Sequence, residues 1–250
     1  MNVPRVTKKV YSLSRVQVSV TIIGAVVFLA LYIFGFYSGN EAERKTVFTA
    51  LSVFNILAVF SSGGLLLFYY YVSRRKVTLL AGAAMVIWGL ASLFWFSYIF
   101  LLNEVVAFPS LAQFGFKSYH VLMIPVLLHL IEKTNVDLYR PSFAVVAVLT
   151  IASPLISVLV DTSKVVGFYN MVYVFLTTTL GVLGLHLVYH KRLTLVGVGV
   201  LGTVAADLVY ISMTFSDPTT FVVNLDPLWF SSFAVSSYGL ILYLTEGQLE

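Results

Sequence analysis

Apolar runs of about 20 residues, separated by short clusters of charge, recur along the whole sequence. A helix of that length spans about 30 Å, the thickness of the hydrocarbon core of a bilayer. Since 59% of the 250 residues are hydrophobic and only 10% are charged, a soluble domain is excluded. The pattern predicts one integral membrane domain over residues 1–250, an all-α polytopic bundle of eight transmembrane helices. The predicted spans are about 16–37, 47–72, 78–102, 111–131, 141–160, 166–189, 193–214 and 226–245.

The basic residues are divided unequally between the two ends of these spans. Eleven of the 15 lysines and arginines fall in the N-terminal segment and in every second connection. Because cytoplasmic loops carry the excess of basic residues, both termini are predicted to lie in the cytoplasm, with the chain in the cell membrane. An even number of spans agrees with this, because it places both termini on the same side of the membrane. The four basic residues of the opposite side are Arg44, Lys45, Lys117 and Lys164.

A single acidic residue, Asp207, lies inside the seventh predicted span. A carboxylate in an apolar span is costly, so it marks a functional or a pairing site. At 1.5 Å per residue Asp207 lies about 10 Å below the outer surface, and Lys117 and His120 of the fourth span lie about 9–14 Å below it. We expect Asp207 to pair with Lys117 or, failing that, with His120.

Other polar and aromatic residues fall in the same outer half, namely Asn55, Trp95 and Tyr173. This layer could receive a ligand that arrives from outside. The alternative is an interfacial aromatic belt combined with an ion pair that only fastens helices.

Two further motifs have simple structural interpretations. Asp226-Pro227 is typical of a helix N-cap followed by proline at the first helical position, although a ligand role could coexist with the cap. Pro109-Ser110 could start the fourth span in the same way. Gly197-Val198-Gly199-Val200-Leu201-Gly202 has the spacing of a dinucleotide-binding loop. Inside a membrane span it instead predicts a close-packing face of small residues.

Several kinds of chemistry find little or no support in the sequence. There is no cysteine, hence no disulfide and no thiolate metal site. A bis-histidine haem held by His129 and His186 is conceivable, but histidines at the membrane interface are the simpler interpretation. No Ser-His-Asp or paired-carboxylate arrangement is present, so the chain is predicted not to be an enzyme. The net charge of +4 is explained by topology and requires no nucleic-acid partner.

Three short motifs carry a resemblance to a known family. They are Phe108-Pro109-Ser110-Leu111-Ala112-Gln113 followed by Tyr119, then Asp207-x-x-Tyr210, and then Asp226-x-x-Trp229. Together they resemble multi-helix sensory modules, of seven or eight spans, that precede diguanylate cyclase (GGDEF), phosphodiesterase (EAL) or histidine kinase domains in prokaryotes. The resemblance implies a ligand-binding role for Asp207, Tyr210, Asp226, Trp229, Tyr119 and Gln113. Gln113 stands where the family usually has aspartate, which weakens a charge-based role there.

No output domain follows Glu250 in the sequence. We therefore expect a signalling module that binds a ligand in its outer-leaflet layer and relays a helix shift to a separate protein at the membrane. Two other classes stay open. One is an accessory subunit that packs into a larger membrane complex by its glycine faces, and the other is a small transporter that uses Asp207 as a proton or ion site.

Overall fold

The computed structural model describes residues 3–38, 41–102, 110–134, 144–152, 164–213 and 218–246. All of the regular structure within these ranges is helical. The helices are α1 (Val3–Ser38), α2 (Glu41–Ser73), α3 (Lys76–Phe96), α4 (Leu111–Thr134), α5 (144–152), α6 (Lys164–Val188), α7 (Thr194–Met213) and α8 (Pro218–Glu246). Each of the eight predicted spans therefore overlaps a described helix.

Seven of these helices pack as a closed ring in the order α1, α2, α3, α4, α6, α7, α8, and back to α1. The last helix also reaches inward, because it contacts α2 and α3 in addition to its ring neighbours. At the seam between α1 and α8 the rings of Tyr11 and Tyr238 stack at a centroid distance of 5.8 Å, with their hydroxyls 3.1 Å apart. The large buried side chains, among them Tyr119, Phe230 and Phe233, fill the centre of the ring.

Within the described part of the chain, six helical segments are long and apolar enough to cross a membrane: Lys9–Leu31, Lys45–Ser73, Lys76–Phe100, Leu111–Thr134, Phe168–Val188 and Pro227–Glu246. The described apolar part of α7, Thr194–Tyr210, is shorter, and only nine residues of α5 are described. Large apolar side chains such as Val26, Val148 and Ile151 are exposed, which is compatible with contact with a lipid bilayer. The all-helical class is thus confirmed, whereas the count of eight spans stays a prediction.

The start of the last helix differs from the prediction. α8 begins at Pro218, and Pro227 lies inside it. The backbone of Asp226 is therefore already helical, and the interpretation of this residue as the N-cap of the last helix is wrong. Pro227 lies beyond the first turn of α8, so it removes one backbone hydrogen bond to the preceding turn, and the packing of the whole helix must offset that loss. The side chain of Asp226 lies outside the described residues.

The start of α4 agrees with the prediction. Gln113 N–H donates to Ser110 Oγ at 3.3 Å, while Ser110 N–H donates to Gln113 Oε1 at 2.8 Å. This reciprocal pair is a capping box, which satisfies two amide groups that a helix start would leave without partners. At the far end of α3, a π-helical turn over Ser97–Leu101 widens the helix beyond Trp95.

The glycines of α7 lie at two helix contacts, as the small-residue interpretation predicts. A methyl group added at Gly197 would lie 2.6 Å from the amide nitrogen of Val188 in α6. One added at Gly199 would lie 2.5 Å from the amide nitrogen of Ser236 in α8. Neither site has room for a side chain, so α7 contacts both neighbours backbone to backbone.

Candidate functional site

Asp207 is fully buried and is the centre of a polar network between helices. Its Oδ2 lies 2.7 Å from Nε2 of His120 in α4, and its Oδ1 accepts a hydrogen bond of 3.0 Å from Nε1 of Trp229 in α8. Thr177 of α6 adds a hydroxyl 3.4 Å from the same histidine nitrogen. Side chains of four helices thus form one network around this carboxyl group, and they supply the polar contacts that lipid could not supply.

The hydrogen bonds of His120 limit the protonation of the pair. Its Nδ1 lies 3.0 Å from the carbonyl oxygen of Phe116, which can only accept, so Nδ1 carries a proton. The short contact from Nε2 to Asp207 needs a second proton, either on the nitrogen or on the carboxyl oxygen. The pair is then either imidazolium with carboxylate or imidazole with carboxylic acid. Both forms are neutral overall, so Asp207 needs no further counter-charge.

Lys117 does not pair with Asp207, and the first expectation for the carboxyl partner is therefore wrong. Its side chain is 92% buried, and its Nζ has no hydrogen-bond partner within the described part of the chain. Nζ lies instead over the faces of two tyrosines of α6, 2.9 Å from the ring centroid of Tyr169 and 4.2 Å from that of Tyr173. His120, which follows Lys117 by one helical turn, is the partner, as the second expectation stated.

Aromatic rings surround the network, and Trp88 of α3 is at their centre. Its ring centroid lies 4.7 Å from Phe116, 5.3 Å from Tyr119 and 5.8 Å from Trp229. Offset or edge-to-face contacts of this kind stabilise beyond the area that they bury. Trp88 was not among the residues predicted for the site. It precedes Trp95 by two helical turns, so the two share one face of α3, and that spacing could have revealed it.

A cavity of about 40 Å³ adjoins these rings. A water needs roughly 10–15 Å³ on this scale, so the cavity has room for a few waters or for one small ligand group. Six aromatic rings line it, and Asn55 and Ser92 complete the described wall. The rings are Trp88, Trp95, Trp229, Phe116, Tyr173 and Tyr210. The residues that the sequence placed in one outer layer, Asn55, Trp95 and Tyr173, therefore do come together around a single space.

The remaining predicted site residues have separate positions. Tyr210 lies edge to face with Trp229 at 6.1 Å and lines the cavity. Tyr119 is fully buried beside Phe233, at a centroid distance of 4.9 Å, and belongs to the core. Gln113 engages its side-chain oxygen in the helix cap.

The two histidines considered for haem have different surroundings. His129 is exposed on α4, whereas His186 is buried in α6 with its Nδ1 2.7 Å from the carbonyl oxygen of Val182. Within the described ranges, no group of three or more His, Asp or Glu side chains could hold a metal ion. Haem ligation by these two residues stays a prediction.

The fold and the apolar helices define a class, that of helical membrane proteins with a buried polar network beside an aromatic cavity. Comparison of the chain with protein families, with curated proteins and with solved structures finds no match.

Proposed function

We propose that the chain is a sensory module of a cell membrane that receives a small ligand in the aromatic cavity and relays a helix shift to a separate protein. One observation carries the proposal: Trp229 lines the cavity and also donates the hydrogen bond to Asp207. A ligand that displaces the Trp229 ring would alter a network that joins α4, α6, α7 and α8. Packed cores tend to switch between discrete arrangements, so a small local shift can bias whole helices.

The resemblance to prokaryotic sensory modules supports the same function, since its late motifs contain Asp207, Tyr210 and Trp229. All three of these residues lie at the network or the cavity. In this proposal the output, and any enzymatic reaction, belong to a partner protein at the membrane.

The two other classes have weaker support. The glycine faces that suggested an accessory subunit are used within the chain, because Gly197 and Gly199 contact α6 and α8. The transporter class needs water at Asp207, and this side chain is fully buried with both oxygens engaged.

The orientation is part of the proposal and rests on the unequal distribution of basic residues. Reporter fusions test it. A reporter that is active only in the cytoplasm should be active after Glu250 and inactive when inserted within 214–217. Activity of both fusions, or of neither, would contradict the proposed topology.

Access to the cavity provides the test of function. Because the chain contains no cysteine, Ser92→Cys would place its only thiol in the cavity wall with little change in volume. In sealed vesicles, cationic or anionic membrane-impermeant methanethiosulfonate reagents should modify this thiol from the outer side alone. Ser237→Cys is the matched control, since Ser237 is 1% exposed and lies away from the cavity wall. It should not react.

The outcomes separate the classes. Modification of Ser92→Cys from both sides would favour the transporter. No modification from either side would contradict a cavity that receives its ligand from outside.

A further inference from the structure

We propose that the ligand of the aromatic cavity is a small organic cation of the methylated or quaternary ammonium class. The inference rests on the proposed function and adds the chemistry of the ligand to it. Six of the eight described residues that line the cavity are aromatic, and none of the eight is charged. A cavity walled by ring faces attracts a cation through the ring quadrupoles, without the hydrogen-bond acceptors that a primary ammonium or a metal ion requires.

The kinds of ring strengthen this choice. Three are tryptophans, the ring type that binds cations best. One of them, Trp229, donates its indole N–H to Asp207. A hydrogen bond to a strong acceptor polarises the donor group, and here it leaves more electron density on the ring. An anionic ligand would face the same negative ring surfaces, and no cationic side chain is among the described residues of the wall.

The chain already holds one of its own amino groups over ring faces in this manner. Nζ of Lys117 lies over Tyr169 and Tyr173 with no hydrogen-bond acceptor among the described residues. Tyr173 also lines the cavity, so one tyrosine ring contacts both the lysine and the proposed ligand space. The volume of about 40 Å³ suits a trimethylammonium group rather than a large amphiphile.

The three tryptophans of the chain, Trp88, Trp95 and Trp229, all line the cavity. Intrinsic tryptophan emission of the full chain in a neutral detergent therefore reports on the cavity. Choline and its uncharged isostere 3,3-dimethylbutan-1-ol differ in charge and hardly in shape. Choline should change the emission saturably, with an apparent Kd about 10-fold or more below that of the isostere. Acetate, the anionic probe, should have no saturable effect.

Two variants locate the binding. Trp95→Leu should weaken choline binding by about 10-fold, and Trp95→Phe should retain most of it, while the other two tryptophans still report. Phe68→Leu, an exposed aromatic residue of α2 outside the cavity, is the matched control and should leave the Kd unchanged. Lys117→Met removes the amino group that already lies over the ring of Tyr173 and should bind choline at least as tightly as the native chain.

Equal affinity for choline and the isostere would overturn the assignment of a cation and leave the sensory proposal standing. Saturable binding of acetate that is lost in Lys117→Met would overturn it in favour of an anion. An absence of any saturable response to choline would also overturn it. Failure of the proposed function would be seen separately, as an unreactive Ser92→Cys.

Discussion

Replacing Asp207 with leucine should destabilise the protein by about 3–5 kcal/mol, because the buried Nε2 of His120 and the buried indole N–H of Trp229 would each lose the hydrogen-bond partner that the carboxyl group supplies. His120→Leu should have a similar cost, since the carboxyl group loses its closest partner. The double variant should recover part of the loss, with a coupling of about 0.5–3 kcal/mol. Thermal unfolding of the native chain, the two single variants and the double variant in one detergent measures this cycle.

The matched control is the same cycle with Lys117→Met in place of His120→Leu. Lys117 is also buried and precedes His120 by only three residues in α4, but it makes no hydrogen bond to Asp207. Its coupling to Asp207 should therefore be clearly smaller. Strict additivity of the His120 and Asp207 variants, or a larger coupling for Lys117, would contradict the described network.

Adding a single methyl group at Gly199 should also destabilise the protein strongly. The new Cβ would lie 2.5 Å from the amide nitrogen of Ser236 and 2.6 Å from the carbonyl oxygen of Ser232, both in the backbone of α8. Because backbone atoms cannot rotate away as a side chain does, α7 and α8 must separate. We expect a loss of about 1–3 kcal/mol for Gly199→Ala, measured as a lower unfolding temperature.

Gly64 of α2 is the control within the same chain, because nothing lies within 4 Å of a methyl group added there. Gly64→Ala should be neutral or should stabilise the helix by up to about 1 kcal/mol through its higher helix propensity. Equal effects of the two substitutions would show that α7 and α8 do not approach as closely as described.

The sequence predicts the helices well because their signal is repeated many times. Each apolar run of about 20 residues indicates a helix by itself. The capping box of Ser110 and Gln113 also marks the residue at which α4 starts. The predicted start of α8 was wrong because Asp226-Pro227 favours a helix start only weakly, compared with the stability that packing gives the whole helix.

From the sequence, the candidate site could be predicted only as a set of residues at one level of the helices. Helical rise predicts that Asp207 and His120 lie at the same level, and their contact confirms this, but a shared level does not determine which side chain reaches the carboxyl group. Lys117 has a long flexible chain, and the faces of Tyr169 and Tyr173 hold it elsewhere. The resemblance contained both Asp207 and Trp229, yet the hydrogen bond between them depends on how α7 and α8 are rotated. That rotation depends on the close approach of α8 to Gly199 and Gly202, which a sequence alone does not orient.

The seam at Tyr11 and Tyr238 has a consequence for biosynthesis. Among the eight helices α1 is made first, and α8, which is made last, is one of its two neighbours in the ring. Until α8 enters the bilayer, the inner face of α1, including Val10 and Ser14, lacks one of its neighbours. Closure of the ring therefore has to wait until α8 has been synthesised, and during that interval one face of α1 is not covered by α8. A quality-control protease that acts on unassembled membrane helices would have this whole interval in which to recognise α1.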